Sequence, residues 1–134
     1  MPNSPARIVA FVCEHGAAKS VIAAESYRAL AANRGRTVVV RPFGIDPDSE
    51  VPSHVVDGLR RDGIELSHRT PVGVAGESLA DADLVVVIGC ELPIASTPSI
   101  PVVRWDGVPA VSDGYEAART AIVQRVERLL DESA

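Results

Sequence analysis

Arg7-Ile8-Val9-Ala10-Phe11-Val12-Cys13-Glu14-His15-Gly16-Ala17-Ala18-Lys19-Ser20-Val21-Ile22-Ala23-Ala24-Glu25 reads as a buried strand, a short loop opening on a cysteine, and a helix. The run Ile8 to Val12 is apolar and rich in β-branched and aromatic residues, as in a central parallel strand. Gly16 relieves the steric limits where the loop must turn. Ser20 is expected to cap an alanine-rich segment of good helix propensity. A cysteine between a strand end and a helix N-terminus sits where backbone N–H groups and the helix dipole favour negative charge, a setting for a nucleophilic thiolate. The same N–H groups suit a tetrahedral oxyanion such as phosphate.

The spacing Cys13-x5-Lys19-Ser20 is close to Cys-x5-Arg-Ser. Here the chain resembles the low-molecular-weight protein tyrosine phosphatase superfamily, which includes the thioredoxin- and mycothiol-linked arsenate reductases. The resemblance implies a phosphotyrosine phosphatase I-like three-layer sandwich. It also implies that Cys13 attacks phosphorus or arsenic, while the loop from Glu14 through His15, Gly16, Ala17 and Ala18 to Lys19 holds the oxyanion. Ser20 would hydrogen-bond the thiolate and ease its departure in the second step. Two departures stand out: Lys19 replaces the family's arginine, and Gly16 stands where many members have asparagine.

Weaker matches lie downstream. Gly63-Ile64-Glu65-Leu66-Ser67-His68-Arg69 resembles the family's "G-I-D-x-S-x-H-R" passage. Ala82-Asp83-Leu84-Val85, followed by Gly89-Cys90, resembles the "A-D-x-V…M-G-C" stretch of actinobacterial-type arsenate reductases.

The chain has 134 residues, a length read as one domain over 1–134. Aromatics are only 4%, so the core must come from Val, Leu, Ile and Ala. The net charge of −5 argues against nucleic acid or an anionic membrane as partner. Nothing approaches the length of a transmembrane helix, and residues 1–6 lack the character of a signal peptide, so a cytoplasmic location is expected. The two cysteines, Cys13 and Cys90, are expected to remain thiols in a reducing compartment. Twelve of the thirteen basic residues are arginines, and Lys19 is the one lysine. In so arginine-biased a chain, a lysine at the anion loop looks specified; the plain alternative is a surface lysine.

Further elements follow in order. A helix over Ser20–Asn33 leads to a strand over Thr37–Phe43, and Ser53 is expected to cap a short helix through Arg61. Residues 76–83 give a weak helical turn before Leu84–Ile88, a strand buried on both faces. A Ser/Thr/Pro-rich loop precedes a strand at Val102–Trp105, and Ser112–Leu130 has one apolar stripe. The order β-α-β-α-β-β-α describes a four-stranded parallel α/β sandwich with its ligand crevice at the carboxyl ends of the strands.

The chemistry expected of the remaining residues is as follows. Lysine offers a compact charge where arginine would offer a two-bond fork, so phosphate binding is expected to survive while transition-state alignment suffers. His15, inside the loop, either faces the anion or tunes Cys13 and Glu14; Glu14 itself should point outward. The family's Asp-Pro pair, which carries the general acid, is missing from the loop Trp105-Asp106-Gly107-Val108-Pro109-Ala110-Val111-Ser112-Asp113. Asp106 is the candidate acid and Asp113 the second choice, although Asp113 also reads as a helix-start residue. The tyrosine pair that follows Asp-Pro in the phosphatases is absent too, which disfavours a phosphotyrosyl protein as substrate. Cys90, ending a strand, is expected to point into the crevice; it is either a redox partner of Cys13, as the resemblance to arsenate reductases implies, or a thiol at the edge of the core. With one downstream cysteine, an arsenate reductase of this kind would need an external thiol. No His/Cys/Asp cluster has zinc spacing, no Walker loop is present, and no cofactor is expected.

The leading expectation is therefore hydrolysis of a small phosphate monoester or acyl phosphate through a cysteinyl-phosphate. The alternatives are a thiol-linked arsenate reductase, with arsenate and a low-molecular-weight thiol as partners, or a non-catalytic or repurposed oxyanion binder. The sequence carries no sign of oligomeric state.

Overall fold

A computed structural model describes residues 7–66, 70–75, 79–92 and 100–132. The chain runs β1 (Arg7–Cys13), α1 (Lys19–Asn33), β2 (Val38–Gly44), α2 (Ser53–Arg61), β3 (Leu84–Ile88), β4 (Val102–Trp105), a 3-10 turn (Val111–Asp113) and α3 (Tyr115–Glu132). The four strands form one sheet in the order β2-β1-β3-β4. All three pairings are parallel, with Cys13 opposite Gly44, Val12 opposite Val87, and Ile88 opposite Trp105. The α/β class and the four-stranded parallel sheet agree with the sequence reading.

The sheet's alternation divides the core in two. Val9, Phe11 and Cys13 of β1 and Leu84, Val86 and Ile88 of β3 face one side, where all three helices contribute apolar residues. Phe11 is fully buried there, with ring centroids 5.7 Å from Tyr27 and 5.9 Å from Trp105. Tilted pairs of this kind add about 0.5–1.5 kcal/mol each beyond the area they bury. Ala10, Val12, Val85 and Val87 face the other side, joined by Phe43, Leu79, Ala82 and Cys90.

The helix starts differ from expectation. Lys19, not Ser20, is the first residue of α1, and Ala18 precedes it without a side-chain cap. Pro52 precedes α2, so Ser53 is its first residue rather than its cap, and no side-chain bond caps that end. Proline's fixed φ suits a helix entry without a capping bond. The predicted start of the last helix at Ser112 becomes a 3-10 turn, and α3 itself begins at Tyr115. The Ser67-His68-Arg69 passage, residues 76–78 and most of the Ser/Thr/Pro loop lie outside the described residues. Among those described, no helix is long and apolar enough to cross a membrane.

Candidate active site

The loop after β1 is held by the segment after β2. The carbonyls of Cys13, Glu14 and His15 accept bonds from the amides of Ile45 (3.0 Å), Asp46 (2.7 Å) and Asp48 (3.0 Å). At the start of this seam the two backbones nearly touch. A Cβ on Gly16, whose φ is +63°, would lie 2.5 Å from the Gly44 nitrogen, so any side chain would collide as well as strain the turn.

Cys13 ends buried at the seam, with its sulfur turned into the loop. The Gly16 amide donates to Cys13 Sγ at 3.3 Å, and the thiol donates to Ser20 Oγ at 3.2 Å. Ser20 is fully buried within the first turn of α1, where its hydroxyl serves the cysteine instead of capping the helix. Among the described residues, no main-chain carbonyl accepts from the amides of Ala17 or Ala18. Amides left free at a helix entry form a concave, positively polarised cradle for an anion.

A cavity of about 260 Å³ opens over the sulfur. Ala17, Ala18 and Lys19 form the α1 side, Ile88 and Gly89 the floor from β3, and Ala110, Val111 and Ser112 the wall before α3. Asp48, Pro52 and His54 stand on the remaining side with Glu14 and His15. The Lys19 ammonium reaches across the β3 terminus, to within 3.5 Å of where a Gly89 Cβ would be. Among the described residues no carboxylate pairs with it, although other basic side chains there do form ion pairs, as Arg34 does with Asp131 and Arg41 with Asp81. Among the described residues, a half-buried ammonium without a carboxylate partner thus shares one cavity with a cysteine and with amides that no main-chain carbonyl engages.

His15 is exposed but oriented. Its Nδ1 donates to the Asp46 carbonyl at 3.0 Å, and Asp48 Oδ1 is 3.6 Å from the same nitrogen. The imidazole pKa is raised above its ordinary 6.5, chiefly by the Asp46 bond; desolvation opposes this, and the nearby Asp48, Glu14 and Asp46 carboxylates each add a smaller upward push. Glu14 is exposed, consistent with an outward side chain.

Two expected site residues are not brought to this cavity. Asp106 lines a separate cavity of about 410 Å³ between β4 and α3, with Arg104, Arg125 and Arg128. Its carbonyl accepts from Arg125 at 2.6 Å, and its carboxylate lies 3.8 Å from Arg104. Cys90, expected in the crevice, instead belongs to the core on the opposite side of the sheet from Cys13. The reason is local: β3 stops at Ile88, and Gly89 turns the chain at φ +63°, which reverses the side to which the next residue points. The Cys90 thiol donates to the Val12 carbonyl at 3.8 Å. Burial, with Cys13 and Glu14 nearby, pushes it up to about 11. Both cysteines are free thiols. Asp113 closes the 3-10 turn and is exposed. Among the described residues no cluster of His, Cys, Asp or Glu could hold a metal ion.

Asp48, His54 and Gly44 were not anticipated as site residues. Asp48 and Gly44 earn their places through contacts with residues distant in sequence, which no local pattern announces. A histidine near a predicted helix start was the only hint at His54.

A cysteine in a strand-to-helix anion loop, on a β2-β1-β3-β4 parallel sheet, defines the phosphatase-like class of α/β proteins. The chain belongs to the low molecular weight phosphotyrosine protein phosphatase family, whose sequence model matches residues 8–98. It is 29% identical over 99 residues to a Halobacterium salinarum protein named "Putative arsenate reductase", covering 72% of this chain and 70% of that one. Its fold matches the Corynebacterium glutamicum thioredoxin-dependent arsenate reductase with a TM-score of 0.82 and 26% identity, over 96% of this chain and 62% of that one. The chain therefore spans less than two-thirds of the Corynebacterium protein. It also matches the Archaeoglobus fulgidus arsenate reductase with a TM-score of 0.72 and 27% identity, over 92% of this chain and 98% of that one.

Proposed function

We propose that the protein is a cysteine-dependent phosphatase acting on small phosphate monoesters or acyl phosphates. The observation that carries this reading is the Lys19 ammonium, without a carboxylate partner among the described residues, sharing one cavity with the Cys13 sulfur and the loop at Ala17 and Ala18. Sulfur attacks phosphorus in line, the loop amides and Lys19 take the equatorial oxygens, and a cysteinyl-phosphate forms. Ser20 then donates to the departing thiolate when water cleaves the intermediate. The cavity volume of about 260 Å³ favours a small substrate. A nucleophilic thiol of this kind fits a reducing, cytoplasmic setting.

The test is turnover of p-nitrophenyl phosphate and acetyl phosphate by the full chain and by Cys13→Ser. Hydrolysis that disappears in Cys13→Ser, while inorganic phosphate still binds, supports the reading. Normal phosphate binding with no hydrolysis of either compound by the unaltered chain ends it.

A second reading, thiol-linked arsenate reduction, is favoured by relatives 26–29% identical that carry that name. Cys13 would attack arsenic, and an external thiol would complete the reduction, with thioredoxin or a low-molecular-weight thiol as the class of donor. Arsenate-dependent oxidation of such a thiol, absent in Cys13→Ala, distinguishes it from hydrolysis. Asp106, the acid expected from the sequence, lines the cavity between β4 and α3 instead, so in either reading a proton for the leaving oxygen is drawn from a group around the sulfur.

A further inference from the structure

A leaving oxygen needs a proton, and the wall before α3 brings no acid to the Cys13 cavity: Ala110, Val111 and Ser112 line it there. The ionisable side chains around the cavity are Glu14, His15, Lys19, Asp48 and His54 among the described residues. Lys19 is the cation for the anion itself. Glu14 follows the nucleophile directly and is exposed, and as a carboxylate it would repel phosphate. His54 is exposed, and no bond orients its ring among the described residues. His15 differs from all of these in being fixed twice. Its carbonyl accepts from the Asp48 amide at 3.0 Å, and its Nδ1 donates to the Asp46 carbonyl at 3.0 Å. With Nδ1 committed to a carbonyl, Nε2 is the nitrogen that can gain and lose a proton. The Asp48 carboxylate, 3.6 Å from Nδ1, supports the charged ring.

We infer that His15, oriented by Asp46 and Asp48, is the general acid and base of the Cys13 reaction, in the role for which the loop before α3 brings no residue to the cavity. The inference rests on the proposed attack of Cys13 on a phosphate ester. In the first step the thiolate forms the S–P bond, the P–O bond to the leaving group breaks, and His15 Nε2 gives its proton to the departing oxygen. In the second, neutral His15 takes a proton from water as the hydroxide forms the new P–O bond. The S–P bond breaks, thiolate and inorganic phosphate are released, and His15 is again protonated. The raised pKa of His15 suits this role, because the ring remains charged at higher pH than a free imidazole. Glu14, Asp46 and Asp48 face it as anions, and Lys19 shares the cavity as the opposing cation.

The test compares kcat/KM, which reports the first chemical step, for phenyl phosphate and p-nitrophenyl phosphate. Phenolate leaves poorly without a proton, and p-nitrophenolate leaves well. His15→Asn keeps a donor for the Asp46 carbonyl and removes the transferable proton. It is expected to lower kcat/KM for phenyl phosphate by about 10²-fold and for p-nitrophenyl phosphate by less than about 5-fold. Inorganic phosphate should still inhibit through Lys19 and the loop, less tightly below the His15 pKa where the imidazolium charge is lost. Asp48→Asn should keep the preference but move the basic limb of the pH profile to lower pH. Equal losses on both esters overturn the inference and leave Cys13 chemistry standing. So does a preference that survives His15→Asn and vanishes in Asp48→Asn, which would name Asp48 as the acid. No turnover of either ester by the unaltered chain overturns the phosphatase reading and this inference together.

Discussion

Gly16 and Gly44 meet backbone to backbone: a Cβ on Gly44 would lie 2.6 Å from the Gly16 nitrogen, and a Cβ on Gly16 would lie 2.5 Å from the Gly44 nitrogen. The nucleophile loop can therefore sit against the end of β2 only while both positions lack a side chain. Gly44→Ala is expected to cost about 1–3 kcal/mol by overpacking, because backbone cannot step aside as a flexible side chain would. Gly16→Ala adds the strain of a left-handed turn. Urea denaturation checks the stability, and phosphate titration should show weaker binding in both variants.

Lys19→Arg tests the lysine directly. An arginine could grip two equatorial oxygens at once, where the ammonium offers a point charge. If the missing fork withholds about 2–3 kcal/mol of transition-state stabilisation, the swap raises kcat by about 10²-fold. Lys19→Met should abolish phosphate binding measured by calorimetry. An unchanged rate in Lys19→Arg would show that the lysine does not limit catalysis.

Ser20→Ala removes the partner of the buried sulfur. The expected loss of stability is about 1 kcal/mol, the net worth of a typical hydrogen bond. The kinetic signature is a split: kcat falls as breakdown of the cysteinyl-phosphate slows, while kcat/KM is nearly retained. Equal falls in both would remove Ser20 from the second step.

The pH dependence follows from His15. Its folded pKa is raised above 6.5, so the stabilisation from its charged ring is fully present below pH 6.5 and is lost as pH rises through the folded value. Phosphate affinity should fall over the same window, since a cation leaves the rim. Asp48→Asn should draw that fall to lower pH, read by NMR titration of the imidazole.

Asp106→Asn should leave activity on aryl phosphates within about 2-fold, because its side chain faces the arginines between β4 and α3 and not the sulfur. A loss of 10²-fold or more, the scale of a missing general acid, would restore Asp106 to the reaction.

Much of the frame could be read before the structure. Leu84–Ile88 announced itself as a strand because burial on both faces leaves no polar alternation to misread. The Cys13 loop was legible because strand, cysteine, loop and helix are contiguous. The errors share a cause, which is contact between distant segments. Ser20 reads from its position as a cap for the nearest helix end and, through the family resemblance, as a partner of the cysteine; the sulfur seven residues back does claim its hydroxyl, and the helix end is left without a side-chain cap. Cys90 was carried forward on the strand's alternation, which the turn at Gly89 interrupts. Asp106 stands close to a strand end in the sequence, but its carboxylate lies by Arg104 of β4 and its carbonyl is held by Arg125, from a helix beginning only at Tyr115. The His15 partners lie after a whole helix and a strand, beyond any local window.

The two sulfurs lie in cores on opposite sides of the sheet, with Cys90 tied to the Val12 carbonyl beneath the β1 terminus. A disulfide within the chain would therefore require Cys90 to turn from the opposite face of the sheet toward an oxidised Cys13. While that arrangement holds, reduction of an oxidised Cys13 would call on a thiol from outside the chain.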